Sequence, residues 1–313
     1  MCIRDRSLGA CSPAAWADTG SPSALEEVVV TATLRAAPAL EVPTSVTVLD
    51  AATLKDAGQQ AFEDVLALVP NLNWAGDTSR PRYFQLRGIG ELEQYQGAPN
   101  PSVGFLIDDI DFSGLGMAAT MFDIDQVEVL RGPQATRYGA NALAGLIYVT
   151  SAAPEDHFDS RIEVGAGDYN TQTYGAVITG PVADLDSAFR LAVQHYSTNG
   201  YYTNVYLDRD DTDRRGEMTL RGRWRYQPSD DLRIDLSLLH VQIDNGYDAY
   251  SINNTRTTES DDPSVDSQHS TGASVRLTYS GWSPATLTVI GTEAQTYVKY
   301  GYDGDWGLSL IHI

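Results

Sequence analysis

At 313 residues, with 42 acidic against 21 basic side chains and a net charge of −21, the chain has room for two domains and is strongly acidic. A polyanion is bound by counterion release from Lys and Arg, so this charge argues against a nucleic-acid partner. No run of about 18 apolar residues occurs, which leaves a β-barrel or a surface contact as the ways to engage a membrane, and an apolar fraction of 42% gives no compositional case for disorder.

Residues 1–8 fit neither a secretory signal nor a folded element, and residues 308–313 fit no better. Both stretches look like translated sequencing-adapter read-through, so the natural protein is expected to be longer at both ends. Within 1–17 the small residues Ala15 and Ala17 suit the end of a truncated signal peptide cleaved before Asp18, with a lipid anchor on Cys11 as the lesser alternative. Cys2 and Cys11 both lie there, which leaves the rest of the chain without disulfides or thiolate metal sites. Residues 18–41 read as a linker. Flexible stretches over 18–25 and 34–41 enclose the β-branched run Glu27-Val28-Val29-Val30-Thr31-Ala32-Thr33. That composition suits a strand waiting for a partner; an ordinary first strand of the next domain is the plainer alternative.

Residues 42–153 read as a small α/β domain. Val46 and Val48 alternate against Thr47 in a strand, and 51–57 and 61–69 have helical spacing, with Phe62, Val65, Leu66 and Val69 on one face and Pro70 as a stop. A strand end at Gln85-Leu86-Arg87-Gly88 leads into the polar, aromatic loop 91–102, which holds Tyr95, Gln96 and Asn100. A strand over 105–110 and a second loop over 112–117, opening with Phe112, come next. The stretch 123–151 is the most informative in the chain. Val127, Val129 and Leu130 open it, Gly132-Pro133 breaks it, Tyr138-Gly139 and Gly145 turn it, and Leu146 to Val149 close it with strand-forming residues.

From 154 to 307 the pattern becomes period-two segments of about ten or more residues. Ile162, Val164 and Ala166 share a face, as do Tyr174, Ala176 and Ile178, then Phe189, Leu191 and Val193. Met218, Leu220, Trp224 and Tyr226 alternate with Thr219, Arg221, Arg223 and Arg225; Leu232, Ile234, Leu236 and Leu238 oppose Arg233, Asp235 and Ser237; Ala273, Val275, Leu277 and Tyr279 oppose Ser274, Arg276 and Thr278. A sandwich with one wet face would show the same alternation. Connection lengths favour a membrane barrel: short links at 180–186, 228–231 and 280–284 alternate with long polar ones at 198–213 and 245–268, as periplasmic turns alternate with extracellular loops. The short turn 167–170 fits less well. Tyr196, Tyr201, Trp224, Tyr226, Tyr279 and Trp282 suit interfacial girdles.

Val129-Leu130-Arg131-Gly132-Pro133-Gln134, followed by Tyr138-Gly139, Asn141-Ala142 and 145–150, resembles the end of the plug domain of TonB-dependent outer-membrane receptors. The landmarks of that family follow in order from about residue 26. The run 26–33 resembles a TonB box, 42–49 the first plug strand, 85–88 the arginine-glycine strand end, and 105–110 the strand that usually ends in Val-Asp-Gly. Asp109 stands where glycine is common, Ala144 where a Gly-Gly pair is common and Arg137 where leucine is common; these departures bear on the subfamily.

The resemblance implies an α+β plug domain followed by antiparallel transmembrane β-barrel strands. Seven are present here, against about 22 in plugged transporters, so these strands alone leave an open arc whose edges lipid does not satisfy. It further implies an outer-membrane receptor, not an enzyme, with TonB and its inner-membrane energising complex as partner. TonB would pair with Glu27, Val28, Val29, Val30, Thr31 and Ala32 by β-augmentation. Tyr95, Gln96, Asn100 and Phe112 become ligand contacts, and Arg87, Gly88, Arg131, Gly132, Tyr138, Gly139, Asn141 and Gly145 a structural motif, the two arginines pairing with wall carboxylates. The commonest cargo is a ferric siderophore, with cobalamin, haem or oligosaccharides as alternatives; no cofactor is implied.

No other motif carries chemistry. Gly88-Ile89-Gly90 lacks the third glycine of a dinucleotide loop. Asp108, Asp109 and Asp111, and likewise Asp208, Asp210, Asp211 and Asp213, lack the glycine and closing glutamate of a calcium loop and read as solvated acidic loops. The five histidines show no metal spacing, and no nucleophile-base arrangement can be assembled. The rival reading from another class is a surface binding or adhesion protein with a β-sandwich.

Overall fold

The computed structural model describes residues 28–32, 34, 37–58, 61–76, 78–92, 101–183 and 185–307. Two short strands, β1 (Val29–Val30) and β2 (Ala37–Pro38), pair antiparallel ahead of the first domain. β3 (Ser45–Asp50) runs into α1 (Ala51–Asp56), where the Asp50 carboxylate accepts from Thr53 N at 2.7 Å, a capping bond that holds its carboxyl below the usual range. α2 (Phe62–Val65) tightens at once into a 3-10 turn over Leu66–Leu68. The helical spacing of 61–69 thus becomes little more than two turns, which still bury Phe62, Val65 and Val69 while Leu66 stays half-buried.

β4 (Leu72–Ala75) and β5 (Tyr83–Leu86) form a hairpin. β6 (Val103–Ile107), β7 (Ile110–Asp111), β8 (Ile124–Arg131) and β9 (Gly145–Ser151) join β3 in a sheet of order β3-β8-β9-β6-β7, antiparallel except between β6 and β9. Between β8 and β9 lies one short turn of helix, α3 (Ala135–Tyr138). The sheet and helices close on a core where Phe62, Phe84 and Phe105 meet with ring centroids 4.9 to 5.4 Å apart. The single strand expected over 105–110 is a hairpin instead, because Asp108 and Asp109 both take positive φ (48° and 73°) and reverse the chain between β6 and β7.

β10 (Asp159–Gly167), β11 (Thr171–Val182) and β12 (Ser187–Thr198) begin a second sheet. A loop strand, β13 (Thr203–Asn204), precedes β14 (Arg215–Ser229) and β15 (Leu232–Gly246), and another, β16 (Thr257–Thr258), precedes β17 (Val265–Trp282) and β18 (Ala285–Gly301). The seven long strands form one antiparallel meander, not two facing sheets. β17 starts inside the stretch expected to be loop. β13 and β16 pair in parallel across the two long connections, and Asp248 clasps both by accepting from Asn204 Nδ2 at 2.8 Å and Thr258 Oγ1 at 2.7 Å.

Register puts the expected apolar residues on a common face. Val164 faces Tyr174, Ile178 faces Leu191, Val193 faces Leu220, Trp224 faces Leu236, and Leu236 faces Val275. This face is bare, with Leu220 46% and Leu238 51% exposed while their neighbours Thr219 and Leu239 on the other face are buried, which suits lipid and not water. The opposite face takes the first domain, whose core continues into Leu239, Val241 and Ile243 of β15. Near the Pro228 and Pro284 turns, Trp224 stacks on Tyr226 at 5.5 Å and Tyr279 meets Trp282 edge-on at 5.5 Å, a girdle as expected. Tyr196 does not join it: it lies opposite Glu217 on the inner face. Tyr201 lies in the loop after β12, edge-on to Tyr169 and under Arg256.

Candidate functional site

The run Val28 to Ala32 is docked beneath the first domain. Val30 and Ala32 are fully buried. The Glu128 carboxylate of β8, itself fully buried, accepts from Thr31 N at 2.8 Å, Thr31 Oγ1 at 2.6 Å and Ala32 N at 2.9 Å. Gln126 Nε2 donates to Val29 O at 3.0 Å and to Glu128 at 2.7 Å, and Tyr138 Oη donates to Ala32 O at 2.7 Å. Burial pushes the Tyr138 phenol well above its ordinary pKa, so it stays a neutral donor. Glu27 lies outside the described residues.

The first domain is fastened to the inner wall by buried charge pairs. Arg80 grips Glu217 of β14 at 2.7 and 2.5 Å and also meets Glu63. Burial opposes the Arg80 charge, but Glu217 and Glu63 outweigh it and raise its pKa. Arg82 donates to Asp266 of β17 at 2.7 Å, and the same carboxylate takes Ser79 N and Oγ. On the other side Asp123 receives two bonds from Arg190 of β12, at 2.8 and 2.7 Å, and Asp109 two from Arg276 of β17, at 3.0 and 2.6 Å. Arg221 adds bonds to Thr120 O and Ser151 Oγ. The four ion pairs meet the conditions under which burial is tolerated, whereas Arg221, equally buried, has only neutral oxygens as its partners.

Several expectations change here. Asp108 and Asp109 are not a solvated loop: Asp108 accepts from Ser151 N and Oγ at 2.8 and 2.6 Å, and Asp109 also takes Tyr148 Oη at 2.7 Å. Asp111 remains exposed and accepts from Asn141 Nδ2 at 3.0 Å. Phe112 is no ligand contact, since its ring is fully buried in the core against Gly272 of the wall, where the β6–β7 hairpin carries it. Tyr95, Gln96 and Asn100 lie outside the described residues; the base of their loop is closed by Glu91, whose carboxylate accepts from Ser102 N at 2.9 Å and Ser102 Oγ at 2.8 Å.

The glycine motif is structural, though its arginines do not pair with the wall. Arg87 and Gly88 make a two-residue turn at positive φ (55° and 78°), with Arg87 exposed. Arg131 donates to Thr47 Oγ1 at 2.8 Å and Pro70 O at 3.1 Å, tying β3 to the end of the helical segment. Gly132 and Gly139 sit at positive φ, and at Gly145 a Cβ would fall 2.5 Å from Leu130 O. The wall-binding arginines are Arg80 and Arg82, which sequence reasoning passed over. Their only local signal is the pair of arginines that flanks Pro81. Among the described residues no three His, Cys, Asp or Glu side chains gather for a metal.

Comparison with known proteins points one way. Residues 38–146 match the TonB-dependent Receptor Plug Domain family. The pesticin receptor of Yersinia pestis is 31% identical over 143 residues, 45% of this chain and 20% of that protein. The ferripyoverdine receptor of Pseudomonas aeruginosa is 26% identical over 180 residues, 57% of this chain and 21% of the relative. The crystal structure of the ferric yersiniabactin uptake receptor FyuA from Yersinia pestis superposes with a TM-score of 0.73 at 22% identity, covering 82% of this chain and 41% of that one. The chain therefore spans about a fifth of the curated relatives it matches, and the structural likeness speaks for the fold alone.

Proposed function

We propose, for a chain that carries the plug domain and the first barrel strands of a TonB-dependent receptor, that the whole protein is an outer-membrane receptor for the active uptake of a scarce nutrient, and that the nutrient is a ferric siderophore. In this reading residues 18–41 carry the TonB-binding segment, 42–153 form the plug and 154–307 the first part of the barrel. The plug sits inside the barrel with the segment facing the periplasm and the apolar belt against outer-membrane lipid. Ligand captured outside shifts the plug, and TonB, driven by its inner-membrane complex, pulls on residues 27–32 to open a path.

The observation that supports this best is the combination of a bare apolar outer face with a polar inner face already occupied by a folded domain. An adhesion sandwich would need a second long-stranded antiparallel sheet in that place, where this chain has an α+β domain with a mixed five-stranded sheet. The matching plug family and the relatives named as receptors support a transport role and not an enzymatic one. Relatives named for ferripyoverdine and for ferric yersiniabactin uptake support the siderophore reading.

The test is uptake of radioiron-loaded siderophores by cells expressing the full-length protein, with and without TonB. Val29→Pro removes a backbone donor from the strand offered to TonB, so uptake should be abolished while ligand binding stays near normal. Uptake at the wild-type rate in that variant would refute the TonB-binding assignment, and uptake independent of TonB would refute the receptor reading.

A further inference from the structure

Three connections of the second sheet meet at one cleft. The turn between β10 and β11 reverses through Tyr169 and Asn170, both at positive φ (58° and 56°), and Thr171 N closes it on Asp168 O at 3.1 Å. Turns of this kind favour Asn, Asp or Gly at both positions. A tyrosine in the left-handed region is strained, and the turn itself gains nothing from the ring. Asn199 N ties the turn to the next connection by donating to Tyr169 O at 2.9 Å. The parallel pair of β13 and β16 sets Thr203 beside Thr257, and Thr203 N donates to Arg256 O at 2.9 Å. Tyr201 and Arg256, just ahead of the two strands, are thereby brought together.

The Arg256 guanidinium lies over the Tyr169 ring at 5.0 Å and the Tyr201 ring at 4.7 Å, and donates through Nε and Nη2 to Tyr201 O, both at 3.3 Å. Among the described residues it meets no carboxylate, although Asp210 lines the same cleft, and the Asp210 carboxylate accepts no hydrogen bond there. Asn170 and Asn199 line it too, their amides 3.4 Å apart. Both rings keep free surface, Tyr169 being 43% and Tyr201 48% exposed.

The cleft encloses about 200 Å³. Sites for drug-sized ligands run to roughly 300–1,000 Å³, so this one takes a single ring and not a whole siderophore. Aromatic surface beside an unpaired carboxylate, spare guanidinium N–H groups and amides suits a pyranose. Its C–H face packs on a ring, while its hydroxyls, each donor and acceptor at once, bridge the acid and the base. Asp208, Asp210, Asp211 and Asp213 in the same connection weigh against an anionic ring.

We propose that this cleft binds a neutral pyranose, either from a glycan of the surrounding outer leaflet or from a dissolved saccharide, and that the strained Tyr169 turn serves that contact. The proposal goes beyond the cargo reading above, on which only the placement of the cleft outside the cell rests.

The full-length receptor, purified free of lipopolysaccharide, is titrated with methyl α-glucopyranoside, methyl α-galactopyranoside and the dephosphorylated core oligosaccharide of lipopolysaccharide, with binding read by saturation-transfer NMR. At least one should bind saturably. Tyr169→Asn suits the turn better and removes the ring, so it should weaken that binding about tenfold or more while the outer loops keep or gain protease resistance. Arg256→Gln should weaken it to a similar degree. A response confined to the core oligosaccharide identifies the outer leaflet as the source, and equal or tighter binding of the simple glycosides identifies dissolved saccharides. No saturable binding of any of the three, or binding unchanged in both variants, overturns the proposal. Tighter binding of methyl glucuronoside than of methyl glucopyranoside overturns the neutral class. Siderophore uptake should stay at the wild-type rate in Tyr169→Asn; its loss at normal surface abundance would make the cleft part of the cargo path and overturn it as a separate site. Failure of uptake in the wild type would count against the receptor reading and leave the sugar result standing.

Discussion

The plug meets its surroundings in two ways. Toward the wall it presents charges that meet opposite charges: Arg80 on Glu217, Arg82 on Asp266, Asp123 under Arg190 and Asp109 under Arg276. Toward the segment 28–32 it presents a carboxylate that meets only neutral donors. Pulling apart a buried ion pair strands two charges at once, whereas parting the segment from the plug strands one, the Glu128 carboxylate, and breaks its charge-assisted hydrogen bonds. The difference teaches that the same domain satisfies its buried charges in two ways, by opposite charges toward the wall and by main-chain and hydroxyl donors toward the segment, with burial similar in both places.

The comparison breaks most readily at the wall. Arg80→Ala leaves Glu217 buried without its bidentate partner, and we expect a loss of about 3–5 kcal/mol in plug stability, read as urea unfolding or protease release of the plug from the intact receptor. Replacing Arg80 and Glu217 together by leucine should recover much of that loss. A single variant that unfolds at the wild-type urea concentration would show that the pair does not hold the plug.

Next in size is the ligand side. Replacing Tyr95, Gln96 and Asn100 together by alanine should weaken ligand binding by at least about tenfold, ~1.4 kcal/mol, at unchanged surface abundance. Unaltered affinity would move recognition to the barrel loops. On the segment side, Tyr138→Phe should cost only about 1 kcal/mol of docking, one neutral hydrogen bond, and leave urea unfolding of the plug untouched. A large effect on plug unfolding would erase the distinction between the two interfaces.

The smallest effect concerns a third kind of acid. Asp213, in the loop between β12 and β14, has its carboxyl pushed up to about 6 by burial, which outweighs the nearby Arg215 charge and a hydrogen bond from the Tyr201 amide. A raised folded-state pKa means that protonation favours the folded loop. Its ionisation is a penalty that is absent below about pH 4 and grows as pH rises through 6. Chymotrypsin nicking of this loop should therefore accelerate between pH 5.5 and 7.5 relative to Asp213→Asn, whose rate ratio to wild type cancels the protease's own pH response. A constant ratio would refute the shift.

The lipid-facing residues were legible in the sequence because the signal is local: alternation along one strand fixes a face, and antiparallel pairing carries that face to the neighbour. Tyr196 was legible by the same parity, since Phe189, Leu191 and Val193 point outward and an even-numbered neighbour must point in; only its aromatic character suggested a girdle. The plug–wall pairs were not legible, because they join residues 137, 184, 67 and 167 positions apart and nothing local distinguishes a paired acid from a solvated one. Asp108 and Asp109 were misread for that reason. Phe112 was misread because two aspartates at positive φ do the turning that glycine usually does, and the hairpin they make delivers the ring to the core. Glu128 sits in a strand whose neighbours read as β, and its partners in the segment lie 96 and 97 residues away.

The grip of Glu91 on Ser102 has a consequence for the chain between them. The two ends of the loop are fixed to each other before the intervening residues contribute anything, so the strands on either side do not sense what is inserted between them. Closing a longer loop on a fixed base costs little, about 0.6 kcal/mol for each doubling of length. The Glu91–Ser102 contact thus separates the cost of closing the chain from the composition of what lies between, so a change of length there is expected to leave the β5 and β6 strands paired as they are.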